Sequence, residues 1–208
     1  MHPILEILER FQKDVASHEM EVLHDDGLYR HLRFSRGGSS AYHFNITTWP
    51  GYLAITGDMG DFVFSRTRDM FGFFRCEDGQ LGINPGYWME KVQAGAGSEG
   101  AREICTEWDE EDFRAEIRKR FDDYVEDEEL DEAAAAELWS EIEDEVLEET
   151  DLEAVAMRNA MEFQHNDFEF TDFFEVRCTK YTFHYLWCCW AIVWGIGVYD
   201  KAKEAKAA

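Results

Sequence analysis

The chain alternates between two hydrophobic periods, and the switches between them divide it. From Pro3 to about Ser17, Ile4, Leu8, Phe11 and Val15 recur at steps of four, three and four, which predicts an amphipathic helix. Leu5 and Ile7 widen its stripe, and Pro3 suits the first turn, where a missing N–H costs nothing. From Met20 to Arg66 the period falls to two. Leu32 and Phe34, then Tyr42, Phe44 and Ile46, then Leu53 and Ile55, then Phe62 and Phe64 alternate with polar or small residues. Gly37-Gly38-Ser39-Ser40, Trp49-Pro50-Gly51 and Gly57-Asp58-Met59-Gly60-Asp61 punctuate these runs, which predicts a meander of about four antiparallel strands. Such a sheet leaves one face for a helix. Arg68 to Phe74 reads as a short helix and Asn84-Pro85-Gly86 as a break. Tyr87 to Val92 reads as a further turn or two of helix, and the Gly/Ala-rich run from Gln93 to Gly100 as a flexible connection.

Helical periodicity then returns. Phe113, Ile117, Phe121 and Val125 recur every four residues, and Leu138, Ile142 and Val146 repeat the pattern. Thr106 with Asp109 three residues on resembles an N-cap, and Thr150 with Glu153 resembles a capping box opening a third helix with Leu152, Val155 and Ala156. From Phe163 to Tyr199 the chain is intensely aromatic. Tyr181 to Tyr199 is near the minimum length of a membrane span, but it holds His184, two glycines and three tryptophans. It reads as a buried helix covering the sheet. The expected fold is α+β, with residues 1–100 the sheet region, 101–163 an acidic helical region and 164–208 an aromatic region packing on the sheet, in one composite domain.

Charge changes this picture most in the middle of the chain. The protein has 45 acidic and 20 basic residues, net −25, and a pI near 4.5. From Ala101 to Val155 there are 24 Asp and Glu against 5 Lys and Arg, and none of those 5 lies between Phe121 and Met157. With 45% hydrophobic residues, disorder of the whole chain is excluded. The low pI argues against direct binding to nucleic acid, which Lys and Arg drive by releasing counterions, and favours a basic partner. The five cysteines have no CxxC spacing and suit a reducing cytoplasm. The first residues lack the basic and apolar segments of a signal peptide.

Candidate chemistry outside the acidic region is sparse. His31 and His43 lie on the polar side of adjacent expected strands, where as cross-strand neighbours they could gather a metal with Asp58 or Asp61. Ordinary solvent-facing histidines explain them more simply, because no ligand motif such as HExxH supports the alternative. His184 reads as a hydrogen-bonded core residue. Gly57 and Gly60 read as positive-φ turn residues rather than a calcium loop, and Arg66, Arg68 and Asp69 as a surface ion-pair knot. No catalytic residue, metal site or cofactor is assigned. An exposed helix presents carboxylates about 5–6 Å apart at i and i+4, against one charge per about 1.7 Å of duplex axis. The candidate partner-binding residues are therefore Asp122, Asp123, Glu126, Asp127, Glu128, Glu129, Asp131, Glu132, Glu137, Glu141, Asp144, Glu145 and Glu148. Held on capped helices, they form a surface able to occupy a basic groove.

Thr48-Trp49-Pro50-Gly51-Tyr52-Leu53 runs into Gly57-Asp58-Met59-Gly60-Asp61-Phe62-Val63-Phe64-Ser65-Arg66. Asp69-Met70-Phe71, Phe73-Phe74-Arg75, Phe183-His184-Tyr185-Leu186-Trp187-Cys188-Cys189-Trp190-Ala191-Ile192 and Trp194-Gly195-Ile196 follow. Together these segments resemble a family of uncharacterised bacteriophage and prophage proteins, over roughly Met20 to Lys203, with the acidic middle the weakest match. The resemblance carries no catalytic residues. It implies a setting in which small acidic proteins, anti-CRISPR proteins among them, block host defences. The leading expectation is a non-enzymatic inhibitor acting in the host cytoplasm on a basic nucleic-acid-binding complex. It has no direct nucleic-acid or membrane contact and an open oligomeric state. Two alternatives stand beside it: a small-ligand or enzymatic protein with its site around the Trp49–Arg66 strands, and a membrane-tethered protein anchored by Tyr181 to Tyr199.

Overall fold

The alternation in residues 29–65 builds a sheet with one apolar face, and the computed structural model, which describes residues 3–76, 81–93 and 100–207, shows that sheet within an α+β fold. Helix α1 (Pro3–Asp14) leads into strands β1 (Glu19–Asp26), β2 (Tyr29–Ser35), β3 (Phe44–Trp49), β4 (Tyr52–Gly57) and β5 (Phe62–Ser65). They pair antiparallel in chain order. The register lines up Leu32, Ile46, Ile55 and Phe62 across four strands, and each is buried. Burying such a side chain contributes roughly 1.5–3 kcal/mol, so this row alone fixes the register.

The meander has five strands rather than about four. The additional strand is β1, seven of whose eight residues are exposed, so no alternation betrays it in the sequence. A bulge at Leu23 interrupts its pairing with β2, and Glu19, Glu21, Asp25 and Asp26 charge this edge strand, which discourages further pairing.

The chain divides into two compact units, Met1–Thr106 with Tyr181–Ala208, and Glu107–Lys180. In the first, the C-terminal helix Phe183–Ala207 covers the apolar face of the sheet. Thr182 Oγ1 caps it by accepting from Tyr185 N–H at 3.1 Å. Gly195 lets helix and sheet approach: a Cβ there would lie 2.8 Å from Ile46 Cδ1 and 3.1 Å from Phe34 Cζ. Trp187 Nε1 donates to Asp14 and Trp190 Nε1 to the Ile4 carbonyl, so both buried indoles are satisfied. The helix continues past Tyr199 because its polar end is held, by Asp200 to Arg75 at 2.7 Å and Lys203 to Asp25 at 3.0 Å. Among the described residues no helix is long and apolar enough to cross a membrane.

Several local expectations change. Asn84-Pro85-Gly86 opens α3 (Pro85–Met89) rather than breaking the chain: Asn84 accepts from Tyr87 N–H, and Pro85 occupies the first turn. Asp69 caps α2 (Met70–Phe74) and pairs with Arg30 at 2.9 Å, not with Arg66 or Arg68, because the Arg30 guanidinium lies over the Phe71 ring. His184 is exposed, since it stands in the first helical turn ahead of the buried stretch. His31 faces His24 and Thr47 across the strands, not His43. Asp58 and Asp61 accept from the amides of Tyr42 and Gly57. Gly57 and Gly60 have φ of 155° and 113°. Of the expected flexible connection Gln93–Gly100, residues 94–99 lie outside the described residues.

Helix α4 (Arg102–Cys105) ends the first pass through unit one. The second unit has its own core around α5 (Glu110–Asp127), α6 (Glu132–Glu145) and α7 (Glu153–Glu162). Phe113, Ile117 and Phe121 meet Leu138, Ile142 and Val146, and Ala156 and Ala160 admit the rings of Phe163, Phe168, Phe170 and Phe173. The aromatic residues of 164–208 are thus shared between two cores: those up to Phe173 belong here, and those from Tyr185 to the sheet.

Candidate functional site: an acidic helical surface

The apolar stripes of α5 and α6 leave their remaining faces to carboxylates. Unit two holds 28 of the 45 acidic residues against 7 basic ones, net −21, which leaves only −4 for unit one. All thirteen residues expected to bind a partner are exposed except Glu141, which is half-buried. Glu143, Glu149 and Asp151 are equally exposed and extend the set. Asp122 and Glu126, Asp123 and Asp127, Glu137 and Glu141, and Glu141 and Glu145 stand at i and i+4, as neighbours on one helix surface.

Local caps hold these helices. Asp109, not Thr106, caps α5 by accepting from Asp112 N–H, while Thr106 lies in the short strand Thr106–Trp108. Asp131 caps α6, accepting from Ala134 N–H at 2.9 Å. The Thr150–Glu153 capping box does not form. Leu152 occupies the N-cap of α7 without a side-chain bond, and Thr150 is buried, donating to Glu110 and accepting from Arg114. The hydrogen bonds that Glu110 accepts from Thr150 and from Arg114 hold its carboxyl below its usual pKa.

The arginines of α5 are consumed inside the unit. Arg114 pairs with Glu110 at 3.0 Å and donates to the Leu147 carbonyl at 3.0 Å. Arg118 pairs with Asp122 at 2.9 Å and lies 4.5 Å from the Trp139 ring centroid, tying α5 to α6. Arg120 pairs with Glu116 at 2.9 Å and covers the Phe173 ring. From Asp123 to Glu149 no carboxylate has an ion pair among those described. Burial, reinforced by Asp112, Glu116, Asp109 and Glu153, pushes the Cys178 thiol up to about 12, so it is no thiolate nucleophile at neutral pH.

The bend between α5 and α6 sharpens the site. Glu129 has φ of 50°, a left-handed conformation that favours glycine or asparagine. An acid therefore stands where the backbone favours another residue. No sequence signal marks this, because the turn is set by where the stripes of α5 and α6 meet. Two large apolar residues of this unit are exposed: Leu152 at 61% and Phe174 at 64%.

Comparison with known families, with curated proteins and with solved structures finds no match to this chain.

Proposed function

We propose that the chain is a non-enzymatic inhibitor whose acidic unit imitates a nucleic-acid strand. It docks on the basic nucleic-acid-binding surface of a host defence complex, such as a CRISPR effector in the host cytoplasm, and blocks nucleic-acid binding. One observation carries this reading: the carboxylates from Asp123 to Glu149 lie on and between capped helices with no ion pair among those described, while the arginines of α5 are turned to internal work. Carboxylates in fixed positions lose less entropy on docking than those of a floppy tail. Glu129 supports the reading, because strained backbone at a polar position is a pointer to function. The resemblance of the Trp49–Arg66 and Phe183–Ile196 segments to phage proteins supplies the setting by a route independent of charge.

The test is capture of partners from host lysate on the immobilised chain across a salt series. A partner with a basic nucleic-acid channel is expected, released steeply between about 0.05 and 0.2 M salt. Changing Asp123, Glu126, Glu137 and Glu145 together to Lys abolishes capture. No such partner, or capture that survives the reversal, overturns the proposal.

A further inference from the structure

The outer face of the sheet, opposite the C-terminal helix, has a character that the net charge conceals. Its register rows can be read across the strands. One runs Trp49, Tyr52 and Ser65, and a second runs His31, Thr47, Ala54 and Val63. Beyond β5 the segment 91–93 pairs as a further edge: Ser65 N–H donates to the Lys91 carbonyl and Gln93 N–H to that of Val63. Lys91 and Gln93 therefore stand on this same face. No residue facing outward from β2 to β5 or on 91–93 is an Asp or Glu, in a protein with 45 of them, and none is fully buried. The acids near this face are Glu19, Glu21 and Asp26 on β1, at the far edge, and Glu90, whose carboxylate pairs with Lys91 Nζ at 3.0 Å.

The first row forms a slot for a planar ring. Trp49 and Tyr52 stack at 5.2 Å between centroids and 16° between planes, and Tyr52 is 37% exposed. Beside Tyr52 in the row stands the small side chain of Ser65. The next position in the row is Lys91, two strand spacings from Tyr52, or about 9–10 Å. Lys91 Nζ lies 4.4 Å from the Tyr87 ring centroid and 3.0 Å from Glu90 Oε2, and Arg66 Nε donates to Tyr87 Oη at 3.4 Å. Tyr52 and Tyr87 are both more than a third exposed. An exposed aromatic ring beside a small hydroxyl, with Arg66 and the Glu90-paired Lys91 at one end, suits a stacked base with its phosphate.

We propose that this face binds single-stranded nucleic acid, one base stacking on Tyr52 above Ser65 and the backbone passing Lys91 and Arg66. This goes beyond the inhibitor reading and uses none of its residues. Sequence-tolerant binding of single strands rests on this combination of aromatic platforms and a cationic track. The whole-chain pI argued against nucleic acid, but it averages over two units, of which this one is nearly balanced.

The test uses the full chain and fluorescence anisotropy of a labelled oligothymidylate of about 15 nucleotides at low salt. Saturable binding is expected, weakened about tenfold by Tyr52→Ala and by Ser65→Phe, which fills the slot. Lys91→Gln weakens it and flattens its salt dependence. The surface change Tyr87→Ala gives a second reading of the slot should Ser65→Phe disturb the strand. No saturable binding, equal binding of a duplex of the same length, competition by uridine monophosphate at equal nucleotide concentration, or full affinity in both Ser65→Phe and Tyr87→Ala overturns the proposal.

Discussion

Replacing Glu129 by glycine separates the shape of the acidic unit from its charge. At the end of α5 the Leu130 N–H donates to Val125 O at 3.1 Å and the Glu129 N–H to Glu126 O at 3.3 Å. These bonds satisfy carbonyls the helix leaves open and hold residue 129 at φ of 50°. A side chain in that conformation costs about 1–2 kcal/mol. Glycine removes this cost but forfeits about 0.4–1 kcal/mol, because it gives the unfolded chain more freedom. The difference makes Glu129→Gly about 0.5–1 kcal/mol more stable. Loss of one carboxylate beside Glu126, Asp127 and Glu128 adds a few tenths at low salt. Glu129→Gln isolates that electrostatic part, since it keeps the strained backbone. Urea unfolding followed by far-ultraviolet circular dichroism, at low and high salt, measures both variants. A glycine variant no more stable than the glutamine one refutes the strain argument. A glycine variant that is more stable and holds the basic partner as tightly as before refutes any part for this acid in docking.

Gly57→Ala is expected to cost about 2–4 kcal/mol, because its Cβ would lie 2.2 Å from His43 O and 2.8 Å from Phe44 Cα, both backbone atoms. An unchanged melting temperature would contradict this. Burial raises the Asp69 carboxyl, but the Arg30 guanidinium and the Phe71 amide outweigh it and hold the pKa below the ordinary value. A depressed folded pKa gives stability that is present above about pH 4 and lost as pH falls through the folded value. Asp69→Asn should therefore lower stability at neutral pH and flatten the acid limb of the stability–pH curve, and superimposable acid limbs would refute the pairing. Burial pushes the Cys105 thiol up to about 12 and raises those of Cys188 and Cys189, while Cys76 is the one half-buried cysteine. A disulfide reagent at pH 8 should find one fast thiol in the native protein and five after denaturation, and Cys76→Ser should remove the fast one.

The sequence made the sheet legible where burial is one-sided. Leu32, Phe34, Phe44, Ile46, Leu53 and Ile55 alternate because one face meets the C-terminal helix and the other meets water. β1 was illegible for the same reason: as a charged edge it buries almost nothing, so its eight residues carry no period. The acidic helices were legible from the four-residue steps of Phe113, Ile117 and Phe121 and of Leu138 and Ile142. Their caps were not, because a side chain that suits capping also suits a buried hydrogen bond. Thr150 is taken by Arg114 and Glu110 before it can reach an amide of α7. Long-range pairs escape sequence reading altogether: Asp69 lies three residues from Arg66, yet its partner is Arg30, placed by the β2 register and the Phe71 ring.

The two proposed surfaces respond oppositely to one perturbation, which makes them separable. At an ionic strength of 0.01 M the Debye length is about 30 Å, so the charge of the acidic unit repels an oligonucleotide wherever on the molecule it binds. Changing Asp123, Glu126, Glu137 and Glu145 to Lys shifts the net charge from −25 towards −17. Capture of a basic partner must fall. Oligothymidylate binding at the sheet must rise, and the gain must shrink towards 0.15 M salt, where screening extends only about 8 Å. Tyr52→Ala acts on short-range stacking and must weaken the oligonucleotide at both salts while leaving the basic partner untouched. Should the charge reversal depress both ligands, or Tyr52→Ala release the basic partner, the two activities share one surface and their assignment to separate units fails.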